Sequence, residues 1–266
     1  MIVMDILKEI MAKKAERVAE AKAVMPLDRL RETAIARRRT AASHALSQSL
    51  STRSTINVIA EFKRRSPSKG IIRANADPAA IAMAYQQGGA VAMSVLTEED
   101  YFSGSLADFA AVRDTTTMPL LRKDFVFDEY QVYETAAAGA DALLLIVAAL
   151  TDTQLRDLRR VTEDQFGLDA LVEVHDSNEL QRARQAGARL IGVNNRDLRS
   201  FAVSLETSMM LALEAPNDVL LISESGLHSH DDLLRLREAG YQGFLIGESL
   251  MRANDPAAAL KRLIEY

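Results

Sequence analysis

Eight short apolar runs recur along the chain, near Val58–Phe62, Ala92–Leu96, Leu120–Leu121, Ala142–Val147, Ala170–Val174, Leu190–Val193, Val219–Ile222 and Gly243–Ile246. Between them lie stretches with helical spacing, among them Pro78–Gln87, Tyr130–Ala138, Thr153–Phe166, Ser177–Ala186 and Asp231–Glu238. Gly88-Gly89, Gly139, Gly167, Gly187 and Gly240 each fall just before the next run, where helix C-termini prefer glycine. Strands that are apolar on both faces need cover on both faces, which implies an all-parallel sheet with crossover helices. Eight such units close into a (βα)8 barrel, and roughly 210 residues suffice for one. A doubly wound open sheet is the alternative, but it normally binds nucleotides at a Gly-rich first turn. Neither G-x-G-x-x-G nor a Walker loop occurs here. The expected fold is therefore α/β, a (βα)8 barrel.

A helical extension precedes the barrel. Apolar Ile6, Leu7, Ile10 and Met11 predict a helix from Met4 to about Ala23, ended by Pro26, and Leu27–Ala36 can form a second. Arg37-Arg38-Arg39 reads as a solvated helix end, and Ser/Thr-rich Ser47–Thr55 as a connector. The chain thus reads as one domain over residues 1–266, with 1–55 as extension and connector and 56–266 as barrel. A hydrophobic content of 48% in 266 residues supports a sizeable core. The net charge of −5 argues against a nucleic-acid partner. The absence of Cys removes disulfides and thiolate metal sites and suits a reducing compartment. Asp5, Lys8 and Glu9 stand where a secretory apolar region would sit, and Ala142–Leu150 is too short to span a bilayer. A cytoplasmic protein with no membrane partner is expected. The sequence leaves the oligomeric state open and is compatible with a monomer.

Polar residues gather where the apolar runs finish. They are Glu61 and Lys63, Ser94, Lys123-Asp124, Glu173 and His175, Asn194 through Asp197, and Ser223-Glu224-Ser225. In a parallel barrel these ends open on one rim, where barrel enzymes keep their active sites. Glu61 and Lys63 share a strand face, and burying such a pair is costly unless each has a partner or a task. Two glycine turns, Ser225-Gly226 and Gly247 with Glu248-Ser249, follow the seventh and eighth runs. Barrels often bind phosphate at that pair of loops, so Gly226 and Gly247 are candidate phosphate ligands with help from Lys63. Four histidines offer no metal-ligand spacing, and no H-E-x-x-H or G-x-S-x-G occurs.

The segments IAEFKRRSPS (59–68), SVLTEEDYFSGS (94–105), LRKDF (121–125), ALLLIVA (142–148), LVEVH (171–175), IGVNNRDL (191–198), SESG (223–226) and LIGESL (245–250) resemble indole-3-glycerol phosphate synthase. They run in order through nearly the whole barrel. The resemblance implies ring closure, decarboxylation and dehydration of 1-(2-carboxyphenylamino)-1-deoxyribulose 5-phosphate, with no metal and no organic cofactor. It makes Lys123 the catalytic acid, Glu173 the general base and Lys63 a second essential lysine held by Glu61. It assigns Ser66, Asn194, Arg196, Glu224 and Ser225 to substrate contact, and Leu121, Phe102 and Phe125 to the wall around the anthranilate ring. Other readings are a different phosphosugar barrel enzyme, such as phosphoribosylanthranilate isomerase, and a non-catalytic phosphometabolite-binding barrel.

Three local expectations follow. Apolar Leu121 and Phe125 should lower the Lys123 pKa by desolvation. Glu248 should turn away from a phosphate that would repel it. The long polar loop Arg64–Asn75, with Pro67 and Gly70, should act as a mobile lid.

Overall fold

The structure, a computed structural model, describes residues 6–51 and 56–265. Eight parallel strands form a closed barrel: β1 (Val58–Phe62), β2 (Ala92–Leu96), β3 (Leu120–Lys123), β4 (Ala142–Ile146), β5 (Asp169–Val174), β6 (Leu190–Asn194), β7 (Leu220–Glu224) and β8 (Gly243–Ile246). Each pairs with its sequence neighbours, and β8 closes on β1 through Val58↔Phe244, Ile59↔Leu245 and Ala60↔Ile246. This is the (βα)8 architecture expected from the eightfold alternation.

Strand alternation divides the core in two. Inward positions Ile59, Ala92, Leu121, Ala142, Leu144, Leu171, Leu190, Ile222 and Leu245 fill the barrel itself. Outward positions such as Val58, Ala60, Met93, Leu143, Val172, Ile191 and Phe244 pack beneath the surrounding helices. One pleat above the inner layer, the same inward rows carry Glu61, Lys123, Glu173 and Glu224. The residues that plug the barrel and those that crown it thus belong to the same faces.

The extension differs in one respect from its sequence reading. Helices α1 (Ile6–Val24) and α2 (Leu27–Arg38) are present, but α3 (Ala45–Ser51) occupies much of the expected connector, whose residues 52–55 lie outside the described residues. Its Leu46 and Leu50 are buried in the barrel's inner cluster, and Asn57 ties the Leu50 carbonyl to the start of β1. Ser and Thr masked a helix whose two leucines, four residues apart, cap the floor. Two other boundaries shift. Strand β3 runs on through Lys123, because Arg122 is buried outward while Lys123 faces inward. The helix expected over Thr153–Phe166 is α-helical over Asp152–Arg160 and widens to a π-helical stretch over Val161–Gln165.

The residues after β1 leave the strand through a small antiparallel ladder, Arg65–Ser66 against Gly70–Ile71. Its base is anchored by Arg64, which donates to both carboxylate oxygens of Asp108 at 2.5 and 2.8 Å. Among the described residues no helix is long and apolar enough to cross a membrane.

Candidate active site

The C-terminal ends of the strands open on a cavity of about 560 Å³. At its floor Lys123 Nζ lies 2.9 Å from Glu173 Oε2 and 3.2 Å from Glu224 Oε2. Lys63 donates to Glu61. Asn194 donates to Glu173 Oε1 at 3.2 Å and accepts from the Arg196 backbone N–H. All these residues line the cavity, together with Ser66, Phe102, Phe125, Arg196, Ser225, Gly226 and Gly247. Five strands therefore deliver expected charged and polar groups to one mouth, while Ser94 of β2 is fully buried and does not line it.

Local chemistry explains the placement. Two glycines make room for carboxylates. A Cβ on Gly192 would come within 2.2 Å of Glu224 Oε1, and one on Gly247 within 2.5 Å of Glu61 Oε1. Phe102 is set by Glu98, whose buried carboxylate accepts from the N–H groups of Asp100, Tyr101 and Phe102 and folds the loop after β2 back on itself. Phe102 and Phe125 meet with ring centroids 6.0 Å apart, an apolar wall over the loops of β2 and β3. Across the barrel mouth, Ser225 and Gly226 both take positive φ. Consecutive residues there direct backbone N–H groups away from the strand ladder.

Electrostatics correct one expectation. Burial pulls the Lys123 pKa down, but Glu173, Glu224 and Glu61 outweigh it and hold the ammonium well above the ordinary lysine value. The apolar neighbours are real; the carboxylates are closer. Burial pushes Glu173 up, but Lys123 and His175 outweigh that and hold it below the usual carboxylate range. Glu224 is pushed up to about 7, chiefly by burial, with Glu173 and Glu61 adding repulsion. Of the two carboxylates on Lys123, Glu173 is the one kept ionised.

Leu121 is a second correction. It does not line the cavity but is fully buried in the inner barrel layer, one pleat below Lys123 on the same strand face. Part of the strand-end set is scaffolding as well. Asn195 ties Ser223 and Ser208 together, and Asp197 accepts from Arg199 and Ser200 within its own turn. Glu248 does not turn away as expected: it lines the cavity beside Gly247, with its charge met by Arg252 at 3.2 Å and Lys69 at 3.9 Å.

Helix α1 supplies what sequence reasoning missed. Its Ile6, Leu7 and Ile10 line the cavity. Their spacing announced an apolar helix face, but not that this face lies over the barrel mouth. Buried Lys14 fixes it there, 2.9 Å from Asp124 and 2.7 Å from Glu99, beside Arg17 on Asp100 at 2.9 Å.

The fold is similar to a solved structure of thiamine phosphate pyrophosphorylase from Pyrococcus furiosus. The TM-score is 0.59 at 15% identity, over 78% of this chain and 93% of that one. Sequence similarity is far more specific. The chain is 44% identical to indole-3-glycerol phosphate synthase of Carboxydothermus hydrogenoformans, covering 97% of this chain and 99% of the relative. It is 46% identical to that of Laribacter hongkongensis, covering 97% and 98%, and 53% identical to that of Koribacter versatilis over 79% and 80%. The family model for indole-3-glycerol phosphate synthase matches residues 7–263. The chain belongs to the indole-3-glycerol phosphate synthase family.

Proposed function

We propose that this chain is an indole-3-glycerol phosphate synthase, a carboxy-lyase of tryptophan biosynthesis. It converts 1-(2-carboxyphenylamino)-1-deoxyribulose 5-phosphate to indole-3-glycerol phosphate, CO2 and water. The observation that carries the assignment to this site is the Lys123 ammonium, seated between Glu173 and Glu224 at the floor of the strand-end cavity.

The aromatic carbon bearing the carboxylate attacks the ketone carbon, and the ketone oxygen gains negative charge. Lys123, already cationic, stabilises that oxygen and protonates it. The carbon–carboxylate bond then breaks, CO2 leaves, and its electron pair restores the aromatic ring. The new hydroxyl departs as water, taking its proton from the Lys63 ammonium, while Glu173, held ionised, removes a proton from the five-membered ring. Lys63 leaves Glu61 to meet the substrate's anionic groups. Phe102 and Phe125 bind the anthranilate ring, and Ser66, Asn194, Arg196 and Ser225 orient the sugar chain. The phosphate lies between the loops carrying Gly226 and Gly247. A rim of eight strand ends suits this chemistry because each group is placed by a rigid element.

The test is to mix the purified protein with the carboxyphenylamino substrate and follow indole fluorescence and CO2. Fluorescence growth with one CO2 per product is expected. Absence of both, in a folded sample, contradicts the assignment.

A further inference from the structure

His175 follows β5 directly and lies two residues beyond Glu173 on the same strand face. Its Nδ1 is hydrogen-bonded to Glu179 Oε2 at 2.9 Å, whereas its buried Nε2 approaches Glu173 Oε1 at 3.4 Å without hydrogen-bond geometry, a contact of charge rather than of direction. The imidazole thus stands between two carboxylates. A neutral imidazole has one N–H and one lone pair, so it would set a lone pair against one of two negative oxygens. A protonated ring instead faces both carboxylates with a positive charge, so the two contacts together favour the imidazolium. Glu179 is itself fixed: it lies in the first turn of the helix Ser177–Gln185, its N–H is taken by Asp176, and its carboxylate also accepts from the His175 N–H at 2.9 Å.

We propose that His175, braced by Glu179, is a positioning residue that works as a fixed imidazolium beside Glu173, keeping the base ionised through the catalytic cycle. The inference rests on Glu173 being the general base. The need for such a group follows from the mechanism. In the resting site Lys123 supplies most of the positive charge facing Glu173, at 2.9 Å. When Lys123 turns to the ketone oxygen and gives up a proton, that charge is withdrawn. Three other groups face Glu173 or its lysine: Asn194 from β6 is neutral, while Glu224 from β7 and Glu61 from β1 are acidic. His175 is then the cation that remains. Its own balance agrees: burial opposes protonation, but Glu173 and Glu179 raise its pKa from 6.5 to about 10.

The proposal is tested in two arms. First, the ring nitrogens of His175 are observed by NMR in the ligand-free wild-type protein at about pH 8, where an ordinary histidine is neutral. The signal is assigned by its loss in His175→Gln. Both nitrogens protonated is the expected result; a neutral ring overturns the proposal whatever the enzyme turns over. Second, kcat/KM is measured against pH for wild type, His175→Gln and Glu179→Gln. Gln at 175 keeps an amide donor but no charge, so its acid limb should move up by about 1 pH unit or more. Glu179→Gln keeps the acceptor and the fold, and should bring the His175 titration down toward neutral in the NMR arm. A His175→Gln enzyme that is slower at every pH, with an unmoved acid limb, shows a merely structural role and overturns the proposal. An inactive wild type contradicts the proposed function and leaves the NMR arm readable.

Discussion

Lys123 meets three carboxylates where its sequence neighbours suggested an apolar pocket, and Glu224 bears the cost. A buried acid whose pKa is raised binds its proton more tightly folded than unfolded. Stability then falls as pH rises from the ordinary value of 4.5 toward about 7, because the unfolded chain has released a proton that the native site retains. The slope is at most about 1.4 kcal/mol per pH unit. Glu224→Gln removes that slope. Its stability advantage over wild type should be small near pH 4.5 and grow until about pH 7, while turnover falls; denaturant melts at a series of pH values measure it. A gap that does not change with pH contradicts the account of Glu224. At this scale the sequence told which strand-end residues are ionisable, but not which carboxylate Lys123 would hold ionised. That depends on Gly192 and His175, whose contribution is spatial.

Elements place the residues, and two element contacts can be tested. Gly192 of β6 leaves the space that Glu224 of β7 occupies, and an added Cβ would lie 2.2 Å from Oε1 and 3.2 Å from Leu171 Cδ1. Gly192→Ala should fold, push Glu224 off Lys123, and lower kcat by about 10–100-fold, as small misplacements at a reacting centre do. Unchanged kcat would show that Glu224 needs no such room. Helix α1 is held by buried Lys14 against Asp124, the residue next to Lys123. Lys14→Met leaves Asp124 short of one cation and should cost about 3 kcal/mol in urea denaturation, with KM raised because α1 lines the cavity. An unchanged KM would separate the helix from the site. Strand ends were legible because alternation and apolar runs are local signals. The docking of α1 and the floor helix Ala45–Ser51 were not, because their partners lie far along the chain.

The whole molecule follows from a pattern the sequence displays openly: eight apolar runs, six of them ended by polar groups, separated by helices. Closure of the barrel converts that one-dimensional recurrence into a ring of side chains around one cavity. Leu121 shows the limit of reading motifs along the chain, since it neighbours Lys123 in sequence yet belongs to the layer beneath. The claim that this ring performs the chemistry is tested most directly on Lys123→Ala, with substrate binding and single-turnover product formation measured on the same sample. Binding should weaken far less than turnover, because the interaction with the oxygen matures only in the transition state. Turnover should fall by about 10²–10⁴-fold or more. Lys123→Arg should stay near the alanine level, since a planar guanidinium scarcely gives up a proton and fits a point-charge site badly. Turnover of Lys123→Ala close to wild type, in a folded protein that binds the substrate, would contradict the account.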